Sequence, residues 1–512
     1  MKLLGSDIAA DISELQEDIT NLKKKTPWVT PEDFGAVGDG IVSDTIALRK
    51  CFAHGGNILI PEGKIYGIDD VIPVYSNSVV QFDGTISALA SGDTSLEFYD
   101  RVTETPGYTG THDVIITGKG VINMNGDVLE DGYATPLRIH HCKNVTIEGI
   151  TIKNYSKYHA IEIGGSDGVI INDVKFFGCF ANGGSGNHEA IQIECVSEEG
   201  TFGAIPYDGT VTKNVIVKNC YFGPSDEGGS VFQSIGAHSR LNDPSWSKYF
   251  DNIQIVGCVF EANSIRAIYF HSNVQNLLIS KNVFNNQRNV VSVYLENYIR
   301  DCQIESNRFS NCNGSPILLG SDASTVDTNN TIERINICKN YFYNYNLNNT
   351  VGTGGIGIRG VNKDVVISDN IYRFDTSVTN YPIIISGRYQ SHSDNLSIQN
   401  NTFNGTTVFD STIIHNDSAQ TLAEFLDKRV SYFRSVVNNI GTNHINTWRV
   451  YHIGGSRTNY YDIGSVVFMN EIGNRLIMVS YPQPGNLKKI IVTEFSNNTT
   501  RHYETAVVAL SE

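Results

Sequence analysis

The sequence has no run of about 18 apolar residues, no two cysteines spaced as a CxxC pair and no dense basic stretch. A membrane-spanning helix, a zinc or thioredoxin-like cysteine site and an electrostatic footprint for nucleic acid are each excluded on that ground. Charged residues make up only 18% of the 512, and the formal net charge is -16. That field repels nucleic acid and anionic membrane surfaces at long range, so a neutral or zwitterionic glycan fits better as a partner. An anionic polymer would need local Lys and Arg or a bound cation. Met1 is followed by a polar segment with neither a basic start nor an apolar core, so no Sec-type leader is expected. The nine cysteines are scattered, and several stand where neighbouring repeats carry Ile, Val or Asn, which is how buried free thiols behave. The reading is of a chain made and folded in a reducing cytoplasm.

What is present is 47 glycines, many Asn, Ile and Val, and 10% aromatic residues, a composition of strands parted by tight turns. At 512 residues the chain exceeds one ordinary core, so it needs several domains or a solenoid that grows lengthwise. A repeat decides for the solenoid. Val145, Val169, Val215, Ile253, Leu277, Cys302, Ile335, Val365 and Leu396 align as one position. Two residues on, every copy has Ile or Val; seven residues on, Ile152 is followed by Phe176, Phe222, Phe260, Phe284, Phe309, Phe342, Tyr372 and Phe403. Period-2 alternation puts one face inward, and identical inward residues once per coil stack into ladders. Asn282, Asn307, Asn340, Asn370 and Asn401 form a further file, expected at a left-handed bend between strands. The fold class expected is all-β, a right-handed single-stranded parallel β-helix. Two long loops, 181–210 and 222–250, interrupt the repeat side by side, as insertions lining a binding face do.

Residues 1–26 carry Ile8, Ile12, Leu15, Ile19 and Leu22 at heptad spacing, and predict a short N-terminal coiled coil ended by Pro27 and Pro31. The β-helix is assigned to 27–430, with a capping helix near 44–52 and a C-terminal helix over 418–428. Residues 431–512 lose the repeat and predict a small β-sandwich-like domain with strands at Trp448–Ile453, Ser465–Asn470, Arg475–Tyr481 and Lys489–Phe495.

The stretch TPEDFGAVGDGIVSDTIALRKCFAHGGNILIPEGKIYGI, Thr30 to Ile68, resembles the entry segment of the pectate-lyase superfamily β-helices found in phage tailspikes and appendage proteins. The resemblance runs to about Phe403. It implies a helix from Asp44 to Phe52 capping the coil, a homotrimer, attachment to a phage tail or baseplate through the N-terminus, and hydrolysis or lysis of a host cell-surface polysaccharide. It implies a location on the virion tail. The NTD and RIK motifs of polygalacturonases are absent, so substrate and mechanism do not carry over. The run HEAIQIE, then Pro206-Tyr207-Asp208 and SIGAHS, resembles a motif of β-helix proteins from Gram-positive bacteria and their phages, and points to a site without naming its chemistry.

Aligning the strand before each repeat by its inward pair gives two outward columns. One reads Arg138, Glu162, Gln192, Gly236, Tyr269, Tyr294, Leu318, Gly357; the other His140, Gly164, Glu194, His238, His271, Glu296, Gly320, Arg359. Acids, imidazoles and phenols gather from Glu162 to Glu296. One coil and two positions separate Glu162 from Glu194, about 8 Å, which suits an inverting acid–base pair. Glu194 with Glu189 or Asp226, or Glu194 as a base oriented by His238, are the alternatives. Gln192, Arg266, Tyr269, His271, Tyr294, Glu296 and Arg359 are the expected substrate contacts, with the tyrosines stacking on sugar faces. A merely solvated side chain is the competing reading for each. His238 and His271 lack a third ligand at suitable spacing, so neither metal nor cofactor is expected. The expected activity is a glycan depolymerase, most simply a glycoside hydrolase; a lyase of the same fold and an adhesin that grips without cutting are the rivals.

Overall fold

A strand that alternates Val and Ile with polar residues buries its apolar face only when other apolar rows lie against it, and a coil stacked on an identical coil supplies them. The computed structural model describes residues 27–405, apart from 93–94, 99–103, 130–134, 157, 181–187, 198–205, 238–240, 242–244, 246, 289–290, 321–330, 349–352, 360, 375–380, 386–391 and 395–396, together with 466–472, 475–481, 489–496 and 499–506. The chain divides into two units, Met1–Leu241 with Lys248–Ser264, and Asn242–Ser247 with Ile265–Glu512.

In the first unit a coil runs through three short strands, for example Leu137–His140, Lys143–Glu148 and Thr151–Ser156. Each pairs in parallel with its counterpart one coil on, Ile161–Gly164, Asp167–Asn172 and Lys175–Phe180. Val145, Val169, Val215 and Ile253 stand in register, as do Ile147, Ile171, Val217 and Ile255, and all are buried. Phe176, Phe222 and Phe260 stack with centroids 4.8 and 4.9 Å apart and rings within 4° of parallel. Each such ring removed from water contributes about 1.5–3 kcal/mol, and each stacked pair about 0.5–1.5 more.

The entry segment carries a helix in the stretch where the resemblance implies one. A helix spans Thr45–His54 with Asp44 at its N-cap, and buries Leu48, Cys51 and Phe52. The Asp44 carboxylate accepts the backbone N–H groups of Val37 (2.7 Å) and Gly38 (3.1 Å). Gly38 and Gly40 both take positive φ, 67° and 75°, which is the physical content of the GDG signature.

The second unit repeats the coil with two strands of 15 residues, Arg266–Ser280 and Val291–Glu305, whose first bend is absorbed by Asn273 (φ 52°) and Tyr298 (φ 47°). Leu277, Cys302, Ile335 and Val365 are in register. Phe284, Phe309, Phe342 and Tyr372 stack at 4.5, 5.1 and 4.7 Å. The Asn file is continuous: the side chains of Asn307, Asn340, Asn370 and Asn401 each accept the backbone N–H of the preceding Asn at 2.9–3.0 Å, and Asn307 Nδ2 donates to the Ile279 carbonyl. One expectation is corrected here. The left-handed residue is the one before each Asn (Lys281, Ser306, Lys339, Asp369 and Asn400, φ 54–58°), because the Asn must turn its amide inward to the strand ends. In the first unit Cys220 and Cys258 occupy the same place, with weak Sγ contacts to Ile171 and Val217 carbonyls at 3.6 and 3.7 Å.

All nine cysteines are free and buried, and burial pushes the Cys51 and Cys312 thiols up to about 12. The C-terminal strands Val466–Ile472, Arg475–Tyr481, Lys489–Ser496 and Thr499–Ala506 form one antiparallel sheet. The last of them was not read from sequence, because TTRHYETA lacks apolar alternation. The coiled coil over 1–26, the helix over 418–428 and the strand at Trp448–Ile453 lie outside the described residues.

Candidate active site

The first strand of each coil in the first unit carries most of the candidate acids and imidazoles. Its register runs Glu97, Arg138, Glu162, Gln192, Gly236 in one column and His140, Gly164, Glu194 in the next. Just beyond these strands, the Ser166 hydroxyl donates to the Ile139 carbonyl (3.0 Å) and the Thr212 hydroxyl to the Glu194 carbonyl (2.7 Å), fixing the backbones that bear His140 and Glu194.

The sequence places these side chains on the wall of an open groove; the structure buries them. Glu97, Arg138, His140, Glu162, Gln192 and Glu194 are all at most 5% exposed. Enclosed ions cost several kcal/mol each unless opposite charges and hydrogen bonds offset the loss of water. Alternating signs along the stack do this. Arg138 Nη1 donates to Glu97 Oε1 at 2.9 Å, and the Ser95 hydroxyl donates to the same oxygen at 3.0 Å. His140 Nε2 lies 2.7 Å from Glu162 Oε1. Burial pushes the Glu162 carboxyl up, but the facing His140, then Arg138 and His159, outweigh it and hold the group below the ordinary glutamate range. Glu162 is therefore ionised at neutral pH. Glu194 Oε1 accepts a long hydrogen bond from Gln192 Nε2, 3.4 Å, two residues back on its own strand.

Glu189 sits differently. It opens the strand Glu189–Glu194 two residues before Ile191 and so shares the inward parity of Ile191 and Ile193. Gln233 Nε2, one coil on, donates to its Oε1 at 3.1 Å, and His159 Nδ1 lies 3.3 Å from its Oε2. It is a rung of an inner polar ladder, on the opposite face from Gln192 and Glu194. The Pro206-Tyr207-Asp208 motif ties segments together: Asp208 accepts the N–H groups of Gly107 and Thr210, both at 2.9 Å, and the His141 ring lies between the carbonyls of Gly107 (2.6 Å) and Pro206 (3.1 Å).

In the second unit Tyr269, Tyr294, Leu318 and Gly357 stand in register. The Tyr269 hydroxyl donates to Glu296 Oε2 at 2.5 Å, and His271 Nδ1 bonds the same oxygen. Burial and then Glu296 raise the Tyr269 phenol well above its usual range. The tyrosine rings stack on each other, centroids 5.3 Å apart, beneath the Arg266 guanidinium. Each ring has one face against the other and both are buried, so the stack seen here is of protein on protein, where the sequence reading expects a sugar.

Asp226 lies exposed on a turn; its neighbour Glu227 bonds Lys153 at 2.5 Å. His238 lies outside the described residues. Arg359 is partly buried just after Gly354–Ile358, its N–H bonded to the Leu319 carbonyl at 2.8 Å. Sequence reasoning passed over Glu97 and His159. Glu97 belongs to the two-residue strand Leu96–Glu97, too short to show alternation, and His159 lies before its strand, Ile161–Gly164, begins.

No family model matches the chain. Over 265 residues it is 30% identical to the plasmin and fibronectin-binding protein A of Streptococcus pneumoniae, a match covering 45% of this chain and 37% of that protein. Over 260 residues it is 25% identical to a probable polygalacturonase of Arabidopsis thaliana, covering 41% of this chain and 55% of that enzyme. The chain thus spans well under two thirds of either relative. Among solved structures, the pneumococcal surface adhesin PfbA superposes with a TM-score of 0.64 at 23% identity over 77% of this chain and 93% of that one. A tailspike of E. coli bacteriophage HK620 in complex with a hexasaccharide superposes with a TM-score of 0.52 at 13% identity over 95% and 93%. These likenesses show the fold: the chain has the parallel β-helix of phage tailspikes and of PfbA.

Proposed function

We propose that the protein is a phage tail-associated depolymerase that binds a bacterial cell-surface polysaccharide or teichoic-acid-like polymer and hydrolyses it. The observation that carries the reading is the placement of Glu162 and Glu194 on adjacent coils, one register column apart, with an ionised Glu162 held by His140. Strand geometry puts their Cα atoms about 8 Å apart, leaving room for a water between the carboxyl groups, as inversion requires. Glu162 acts as the base that takes a proton from that water as its oxygen bonds to the anomeric carbon, and Glu194 acts as the acid that protonates the leaving oxygen as the glycosidic bond breaks. The trimer and the N-terminal attachment through 1–26 belong to the same proposal: both are what the resemblance to phage tailspikes implies, and the heptad spacing of Ile8 to Leu22 adds a coiled coil without setting its number of strands.

A second reading has its own support. The relative at 30% identity is named for binding plasmin and fibronectin, and a β-helix that grips a polymer without cutting it needs no acid. Incubation with purified wall polymers separates the two. A hydrolase releases new reducing ends, and Glu162→Gln or Glu194→Gln lowers that rate by about 10²–10⁴-fold while polymer binding persists. Binding without new ends identifies an adhesin, and unsaturated ultraviolet-absorbing ends identify a lyase. Unchanged cleavage by both variants would remove the assignment.

A further inference from the structure

Arg266 opens the strand Arg266–Ser280 of the second unit and is only partly buried. Its guanidinium carbon lies 4.2 Å from the Tyr269 ring centroid and 5.2 Å from that of Tyr294. Among the described residues the guanidinium makes no hydrogen bond and no ion pair, and it lies against the two rings. Contact with a ring uses none of the N–H donors of a guanidinium, so those of Arg266 remain for another partner. An arginine near a protein surface commonly finds a carboxylate, but the acid of this cluster is already engaged. Glu296 Oε2 takes both the Tyr269 hydroxyl, at 2.5 Å, and His271 Nδ1.

We propose that Arg266 is the receptor for an anionic group, a carboxylate or a phosphate, carried by the polymer; the inference rests on the polymer-binding reading above. The donor fork of an arginine matches either anion bidentately, and charge-assisted bonds of that kind are roughly twice as strong as neutral ones. The tyrosine stack holds the side chain in place beforehand, so less freedom is lost on binding. The net charge of -16 opposes an anionic polymer at a distance, but salt screens that field beyond about 8 Å at physiological ionic strength. What decides at contact is the local cation. The anionic polymer that bulk charge disfavours therefore has a built receptor in the second unit.

The test uses the full chain and defined oligomers: oligoglucuronate for the carboxylate, oligo(glycerol phosphate) for the phosphate and a neutral gluco-oligosaccharide, each titrated by calorimetry. One anionic oligomer should bind at least about tenfold more tightly than the neutral one, more weakly as salt rises, and Arg266→Ala should remove most of that advantage. Which anion wins identifies the source. Arg266→Lys, which keeps the charge but not the planar fork, should fall between, and an unchanged melting temperature shows that the fold survives. Equal affinity for neutral and anionic oligomers, or wild-type affinity in Arg266→Ala, overturns the inference. Failure here and failure of the hydrolase reading are separable. Arg266-dependent anion binding without new reducing ends keeps the receptor and removes the hydrolase, whereas cleavage with no anion preference does the reverse.

Discussion

The two units share one backbone rule and use it for opposite chemistry. In the first, Glu97, Arg138 and Glu162 stand one coil apart in a single column, so that buried charges of alternating sign offset each other along the stack. In the second, the aligned positions hold Tyr269 and Tyr294, and the charge kept accessible is that of Arg266, resting on their rings. Parallel register brings like positions together whatever they are. Whether a column becomes an ion ladder or an aromatic stack depends only on the side chains placed there, and this lets one scaffold present both kinds of surface.

The comparison breaks most easily at Arg138. Arg138→Met leaves Glu97 buried without its cation, and should cost about 3–5 kcal/mol in denaturant unfolding, most of it recovered when Glu97→Gln is added. A loss no larger than that of a surface substitution would mean that the first column is not held by charge. Tyr269→Phe removes one hydrogen bond to a carboxylate while keeping the ring stack, so about 1.5–3 kcal/mol is expected, with anion binding at Arg266 little changed. Were anion affinity to collapse with the hydroxyl alone, the receptor would be the Tyr269–His271–Glu296 group instead. The smallest effect is in pH. Glu162 has a folded value below its unfolded one, so it adds stability that is complete above the ordinary glutamate value of about 4.3 and is lost as pH falls through the lower, folded value. The stability gap between wild type and Glu162→Gln, followed by denaturant midpoints on acidification, should therefore narrow below about pH 4.3. A gap that widens in acid would reverse the sign assigned to its environment.

Much of the fold is legible in the residues because a β-helix repeats its instructions. The file Phe176, Phe222, Phe260 and the file Phe284, Phe309, Phe342 can each be aligned by eye, and each is a stack. The Asn file was legible as a ladder but not in its backbone: the residue before each Asn, variously Lys, Ser, Asp or Asn, takes the strained turn, and such variety carries no signal. The candidate site was less legible. Glu189 and Glu194 read as neighbours in HEAIQIE, yet five residues along a strand place them on opposite faces. Glu97 escaped notice because its coil lacks a repeat long enough to register.

By itself the sequence determined the coil, its inward ladders and which outward positions would meet, since all of these follow from period and repeat, which are properties of a linear string. Only the tertiary structure decided that Glu162 and Glu194 would be enclosed, that Glu162 would keep its charge, and that Arg266 would lie across Tyr269 and Tyr294. Those outcomes depend on what side chains from other coils and covering segments do to a group's access to water and to opposite charge. Neither can be counted along a chain.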